Sequence, residues 1–208
     1  NSAGATNTTA YTPAGAEPLT KLTSKNGAGH TTTTTLDPAW QVPLVVTDTN
    51  GNRTESVYDG LGRLLKVWLP IRSRVGSGSQ ELPANLVFGY QVSNNGPSWV
   101  STSTLRDDGQ LYTTTFTSYD ALLRVRQTQA PTPRGGRLIT TMAYDDRGLV
   151  TSTDGDIFDE DNPPAGEVAE PVEGQPPART LTTYDGAGRD LDVAGGGHEG
   201  FASATGAT

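Results

Sequence analysis

The 208-residue chain contains no cysteine, only two histidines and one methionine. Without thiols it can form neither a disulfide nor a cysteine-based catalytic or metal site, and this absence alone leaves the compartment open. No apolar run reaches the ~18 residues needed to cross a bilayer, so we expect no membrane span. Basic residues are outnumbered 15 to 23 by acidic ones, and a net charge of −8 argues against nucleic-acid binding, which needs clustered cations.

Helical periodicity is also missing. No stretch keeps apolar residues at helical spacing over three turns, whereas short runs rich in Val, Leu, Thr and Tyr alternate with turn residues. Gly (25) and Pro (14) are abundant, and hydrophobic residues make up only 33% of the chain. These patterns predict an all-β protein built from hairpins. The first residue is not methionine, which indicates a mature or excised segment of a longer chain.

A Tyr-Asp motif recurs four times: "YDGLGRLLKV" at Tyr58, "YDALLRVRQT" at Tyr119, "YDDRGLVTST" at Tyr144 and "YDGAGRDLDV" at Tyr184. Regular motifs at irregular spacing predict hairpins joined by loops of variable length. In each hairpin the Tyr can cover a sheet face, the Asp can accept hydrogen bonds from turn amides, and a Gly can adopt positive φ. The motif residues are Tyr58, Asp59, Gly62, Arg63, Tyr119, Asp120, Arg124, Tyr144, Asp145, Gly148, Tyr184, Asp185, Gly188 and Arg189.

These motifs resemble the YD repeats of RHS proteins, a group that includes large bacterial surface and toxin-delivery proteins, the C component of Tc toxins and the teneurins. The pattern Y-D-x-x-G-R-L is complete from Tyr58 to Leu64. The second copy has Leu123 in place of Gly, the third has its Arg and Gly shifted to positions 147 and 148, and the fourth has Asp190 in place of Leu.

This resemblance implies an antiparallel meander of YD-repeat hairpins, forming a sheet strip of a shell-like RHS architecture. In complete family members the sheet spirals into a hollow shell around a C-terminal toxic polypeptide. The self-cleavage segment of the family, which ends in a D-P-x-G-type motif, has no match here, because Asp37-Pro38 lacks the following Gly.

We divide the chain accordingly into a YD-repeat sheet (1–153), an acidic Pro-rich loop (154–179), a last YD repeat (180–190) and a flexible Gly/Ala-rich tail (191–208). The loop holds eight acids and five prolines, so we expect it to be long and solvated. The small residues of the tail predict no strand pair of its own.

Several chemical alternatives rank lower. Asp154, Asp156, Asp159 and Asp161 could bind Ca²⁺, but their spacing breaks the EF-hand register. A nucleophilic triad would have to use His30 or His198, and paired carboxylates could serve glycoside hydrolysis. The basic loops at 72–74 and 133–137 are short and isolated.

The function we expect is that of a non-enzymatic structural module: a wall segment of a secreted or cell-surface bacterial YD-repeat shell, with no catalytic, cofactor or metal site. Its partners would be neighbouring repeats of a longer parent chain and an encapsulated polypeptide. Alone, the segment should be marginally stable or self-associating. The alternative is a cell-wall or carbohydrate-binding module that stacks glycans on its three tryptophans, Trp40, Trp68 and Trp99.

Overall fold

The computed structural model describes residues 6–15, 17–170, 178–196 and 202–204, and within these ranges there is no helix. Fifteen strands account for the regular structure. They are β1 (Thr8–Thr12), β2 (Lys21–Lys25), β3 (Thr31–Leu36), β4 (Pro43–Thr47), β5 (Arg53–Tyr58), β6 (Leu64–Trp68), β7 (Leu86–Gln91), β8 (Ser98–Leu105), β9 (Tyr112–Tyr119), β10 (Val125–Pro131), β11 (Arg137–Tyr144), β12 (Val150–Asp159), β13 (Ala178–Tyr184), β14 (Asp190–Gly196) and β15 (Ala202–Ala204).

The strands follow one another in the sheet in the order of the sequence, from β1 to β15, and their described pairings are antiparallel. Each strand from β2 to β14 therefore hydrogen-bonds to the strands before and after it in the chain. β-branched and aromatic residues, which favour the pleated sheet, fill these strands, as in the run of five threonines that begins β3. The all-β antiparallel meander expected from the sequence is confirmed.

The chain divides into two compact units. The first comprises the residues up to Phe88 together with Thr104–Tyr112. Its buried hydrophobic residues are Val67, Trp68 and Ala84. The β6–β7 connection covers Trp68, whose indole N–H donates to the carbonyl of Leu82 at 2.9 Å. A fully buried Trp is thus satisfied at its one polar atom, as burial requires.

The second unit comprises Gly89–Ser103 and the residues from Thr113 onward. Ile139 and Ile157, its buried hydrophobic residues, lie opposite each other on β11 and β12. Polar side chains are buried beside them, among them Gln127 and Gln129 at 2% and 1% exposure. An interior this polar must supply hydrogen-bond partners for each buried group.

The acidic segment differs from the expectation of a solvated loop from 154 to 179. β12 continues through Asp159, and β13 begins at Ala178. The acids are compatible with a strand because arginines neutralise them: Arg179 contacts Asp154 at 2.6 Å, and Arg137 contacts Asp159 at 2.7 Å. The prediction that the loop begins at residue 154 was therefore wrong.

The expected tail also begins later than the sequence indicated. β14 extends to Gly196 and pairs with β13 along its length, and β15 pairs with β14. Strand pairing here rests on backbone hydrogen bonds, which glycine and alanine supply as well as larger residues do. The remaining tail positions, 197–201 and 205–208, lie outside the described residues.

Candidate functional site

The YD motif forms a three-residue hairpin turn, seen at Asp59. The amide of Asp59 donates to the carbonyl of Arg63 at 2.9 Å, and the amide of Gly62 donates to the carbonyl of Asp59 at 3.0 Å. Gly62 has a φ of 76°, the left-handed conformation that follows a type I turn in such hairpins. We call the five residues from the Asp onward a YD corner.

The carboxylate of Asp59 holds this corner together. Its Oδ1 accepts the amides of Leu61 and Arg63, both at 2.9 Å, and its Oδ2 accepts Nε of Arg63 at 2.7 Å. One side chain thus binds the backbone of the turn and the arginine that closes it. This explains why Asp, Gly and Arg recur together in the motif.

The three variant motifs keep this geometry. At the second corner Leu123 takes the left-handed position with a φ of 59°. At the third corner the shifted Arg147 still reaches Oδ2 of Asp145, at 2.9 Å, and Leu149 supplies the amide that Arg63 supplies in the first. At the fourth corner Arg189 binds Asp185 at both carboxylate oxygens. The substitutions therefore change the motif and preserve the corner.

These hydrogen bonds hold the pKa of the corner carboxylates, Asp59, Asp120, Asp145 and Asp185, below the ordinary value. In each, the largest cause is the amide of the fifth corner residue, with the arginine side chain adding to it. A carboxylate that is ionised and saturated with donors from its own turn is unsuited to act as a general acid at neutral pH. Each corner carboxylate binds the backbone of its own turn.

Two more corners of this kind lack the Tyr-Asp motif. Asp48 accepts the amides of Asn50 and Asn52, and the side chain of Asn52 replaces the arginine at 2.8 Å. Asn26 accepts the amides of Ala28 and His30 in the same way. The sequence analysis missed both as motif relatives, although an Asp or Asn followed three residues later by Gly marks each of them.

Three of the four repeated tyrosines hydrogen-bond to the strand that precedes their own strand. Each donates its hydroxyl to the carbonyl near the beginning of that strand, which fixes the ring over the sheet face. The pairs are Tyr58 with Pro43 at 3.1 Å, Tyr144 with Val125 at 2.7 Å, and Tyr184 with Val150 at 2.7 Å.

In the second unit, successive YD corners also contact one another. The guanidinium of Arg124, in the second corner, lies 4.5 Å from the ring centre of Tyr144, the residue directly before the third corner, in a cation–π contact. Arg147 donates to the carbonyl of Asp185 at 2.7 Å. Alternate turns of a meander lie at the same edge, so three YD corners form a continuous column along one edge of this unit. We call it the corner column.

A second arrangement lies on the sheet face of the same unit, where residues 163–169 of the β12–β13 connection cross β9 and β10. We call these residues the strap. Gln127 both donates to and accepts from the backbone of Ala169, at 3.0 and 2.8 Å. Gln129 accepts the amide of Ala165 at 2.9 Å and donates to the carbonyl of Glu167 at 2.7 Å.

The strap is also fixed at its middle and at its entry. Ser118 donates to the carbonyl of Gly166 at 3.3 Å, and Gly166 lies so close to the indole of Trp99 that a Cβ there would be 2.2 Å from Nε1. At the entry, Asp159 accepts from Arg137 and from the amide of Asp161. The predicted solvated loop is therefore folded onto the sheet over this stretch.

The three tryptophans do not form a common platform for a sugar. Trp68 is 1% exposed, which contradicts its proposed role in glycan stacking. Trp99 packs edge-on against Phe116, with ring centres 5.3 Å apart, and against the strap. Trp40 is 51% exposed but lies over Gly62, whose Cβ would come within 2.8 Å of the indole. Each ring packs against its own local structure.

The other candidate groups are engaged elsewhere or dispersed. Asp154 and Asp159 pair with arginines, and within the described part of the chain no three His, Asp or Glu residues are grouped to hold a metal ion. The basic loops are neutralised in part, since Arg74 pairs with Glu81. His30 belongs to the Asn26 corner, and His198 lies outside the described residues. Across the described ranges, no helix is long and apolar enough to span a bilayer.

Comparison with solved structures identifies the fold. A crystal structure of TcdB2-TccC3 without its hypervariable C-terminal region superimposes on 82% of this chain with a TM-score of 0.61 and 14% identity. A crystal structure of TcdB2-TccC3-TEV does so on 84% with a TM-score of 0.60 and 15% identity. The chain covers 13% of each of those chains. No protein-family model and no curated protein matches the sequence.

Proposed function

We propose that this RHS-like segment is a structural, non-enzymatic module, and that it forms part of the wall of a YD-repeat shell enclosing a polypeptide cargo. The resemblance of its motifs to YD repeats and its fold likeness to Tc toxin structures that contain an RHS shell support an RHS-like segment. The shell and its cargo belong to the proposal, as does a secreted or cell-surface location in a bacterium.

The corner column is the observation that carries this proposal. It joins successive hairpins along one edge, through Arg124 and Tyr144 and then through Arg147 and Asp185. Contacts of this kind repeat from hairpin to hairpin, so they can propagate through a long sheet of many repeats. An isolated binding domain has no need of such an additive device.

The exposure of the first strand also supports this proposal. β1 is exposed at every residue and hydrogen-bonds to β2, its one neighbour among the described strands. An unpaired strand edge favours the addition of another strand. In the proposed shell a preceding repeat would cover it.

The exposed edge of β1 allows the proposed open wall to be tested with this chain alone. Sedimentation velocity over a wide concentration range should show self-association, and the double variant Thr9→Lys/Tyr11→Lys should suppress it, because charge on an edge opposes strand pairing. Gln110→Lys, an exposed loop position away from β1, is the control and should associate like the parent. A parent chain that is monomeric at all concentrations would contradict the proposed open wall.

The longer protein tests the cargo. Once the coding sequence on both sides of this segment is known, the full protein should show strands continuing this sheet and a polypeptide resistant to trypsin until the shell is denatured. A sheet that closes on this segment alone, or a downstream polypeptide cleaved as fast as a free control, would refute encapsulation. Among the described residues, the tryptophans that would stack a glycan each pack against their own local structure, which gives the carbohydrate-binding alternative no support.

A further inference from the structure

The strap is held almost entirely through its backbone. Gln127 pairs with the N–H and C=O of one residue, Ala169, as an antiparallel strand neighbour would. Gln129 binds the N–H of Ala165 and the C=O of Glu167, two residues apart. Two side chains from one strand thus reproduce the hydrogen bonds of an additional strand lying across the sheet face.

The glutamines form a built site. They are 2% and 1% exposed, and Gln129 also donates to Oε1 of Gln127 at 2.8 Å. Arg137 donates to Oε1 of Gln129 at 3.0 Å, which fixes the orientation of that amide. Both buried amides donate to and accept from the strap backbone, and their remaining hydrogen bonds join them to each other, to Thr141 and to Arg137. This is a specific and costly arrangement, since each group left unpaired would be destabilising.

At one position of the strap the structure leaves no room for a side chain. A Cβ at Gly166 would overlap the indole of Trp99 at 2.2 Å, so this position requires glycine. By contrast, the side chains of Glu167 and Glu170 are exposed, and the hydrogen bonds at 165, 167 and 169 use backbone atoms. The site therefore binds an extended backbone, requires glycine at one position and leaves the side chain of Glu167 exposed.

The hairpin does not need the strap for its closure. β12 and β13 pair from Ser152 and Leu181 to Gly155 and Ala178, which already joins the two strands. The chain between Gly155 and Ala178 is an excursion, part of which continues β12 beside β11. The strap occupies the face as a tethered ligand, at the millimolar effective concentration typical of a short linker.

We propose that the face formed by Trp99, Ser118, Gln127 and Gln129 is a binding site for an extended polypeptide with glycine opposite Trp99, and that the strap occupies this site in cis and competes with such a polypeptide. The proposal is independent of the shell role, because it concerns binding by this chain alone. In this proposal the strap has a regulatory role, because it covers the face until such a polypeptide displaces it.

The test releases the strap from the face by mutation and then adds the strap sequence as a free peptide. In the full chain, Gly166→Val places a branched side chain against Trp99 and should release the strap. The probe is a fluorescein-labelled peptide of residues 163–170, PPAGEVAE, followed by fluorescence anisotropy. We expect saturable binding to the Gly166→Val chain and at least ~10-fold weaker binding to the parent, whose tethered strap competes. Gly186→Val, a glycine with open space around its Cβ position, is the matched control and should behave like the parent.

Peptide and clamp variants give the specificity. A peptide with Val in place of its Gly should bind at least ~10-fold more weakly, whereas one with Lys-Thr in place of Glu-Val should bind within about threefold, because the clamp hydrogen-bonds the backbone. Adding Gln127→Ala and Gln129→Ala to the Gly166→Val chain should abolish binding. Undiminished binding of the Val peptide, or equal affinity for the parent and the Gly166→Val chain, would overturn the proposal.

The same experiment can be made robust to misfolding. Near-UV circular dichroism reports whether the Gly166→Val chain keeps its packed aromatic rings. If it does not, a full chain with residues 163–169 deleted takes its place, since β12 and β13 pair without the strap and the deletion leaves the face itself unchanged. Failure of that folded chain to bind the peptide would refute a binding site on this face.

Discussion

Leu123 occupies the position that glycine holds in the other three YD corners, and it has a φ of 59°. Its side chain is 70% exposed, so it contributes little to the core. Replacing it with glycine should therefore stabilise the protein, even though a large side chain is removed. Leu122, next to it and 72% exposed, is absent from the positive-φ residues and provides a matched control in the same turn.

The expected magnitude follows from two opposing terms. A non-glycine residue in the left-handed region costs about 1–2 kcal/mol. Glycine, in turn, loses about 0.5–1 kcal/mol more conformational entropy on folding. Leu123→Gly should thus raise the free energy of unfolding by about 0.5–1 kcal/mol, whereas Leu122→Gly incurs only the entropy term and should lower it by about as much.

Thermal and urea denaturation followed by circular dichroism measure both changes. For a chain of this size, 1 kcal/mol corresponds to a change in Tm of about 2–4 °C, so the two variants should shift Tm in opposite directions by one to a few degrees. Hydrogen exchange of β9 and β10 should report the same order of stability locally. If Leu123→Gly destabilises as much as Leu122→Gly, then backbone strain at this corner does not determine its stability.

Two further predictions concern other contacts. Gly51→Ala and Gly62→Ala both force alanine to positive φ, at an expected cost of about 1 kcal/mol each, but Gly62→Ala should cost about 1 kcal/mol more because Trp40 must move; equal urea midpoints would contradict this contact. Burial raises the pKa of Asp159, but hydrogen bonds led by the one from Arg137 outweigh burial, so the pKa is lowered. The stability that this ionised carboxylate contributes is therefore present above its ordinary pKa and is lost as the pH falls below it. Asp159→Asn should cost about 1–3 kcal/mol at pH 7 and progressively less below pH ~4, as measured by urea denaturation; a pH-independent cost would refute the ion pair.

Local chemistry made the corners predictable. The carboxylate of each corner Asp binds partners that lie within five residues, so Asp59, Asp120, Asp145 and Asp185 could be assigned as turn residues from the sequence. The antiparallel meander followed because short alternating segments separated by such turns have few other ways to pair. Even the shifted Arg147 lies within reach of its carboxylate.

The strap was not predictable in the same way. Gln127 meets Ala169 across 42 residues, and nothing near either residue in sequence indicates the contact. Composition was misleading as well, because acids and prolines usually mark solvated loops, whereas here the backbone is bound and the acidic side chains face outward. Buried glutamines on a strand read as surface residues until their distant partners are known. Trp68 is the opposite case. The sequence left it open to an exposed, glycan-stacking role, and the fold of the β6–β7 connection buries it.

The corner column also separates two kinds of sequence change in the second unit. Corners at its edge must keep their length, because each one contacts the next. Connections at the opposite edge differ in length: five residues join β10 to β11, and eighteen join β12 to β13. The distance between YD motifs therefore varies with the length of the connections at one edge, while the corners at the other edge stay in contact with one another. A sequence search that assumes a fixed repeat length would overlook such chains. Longer connections at the edge opposite the corner column leave the contacts between the corners unchanged.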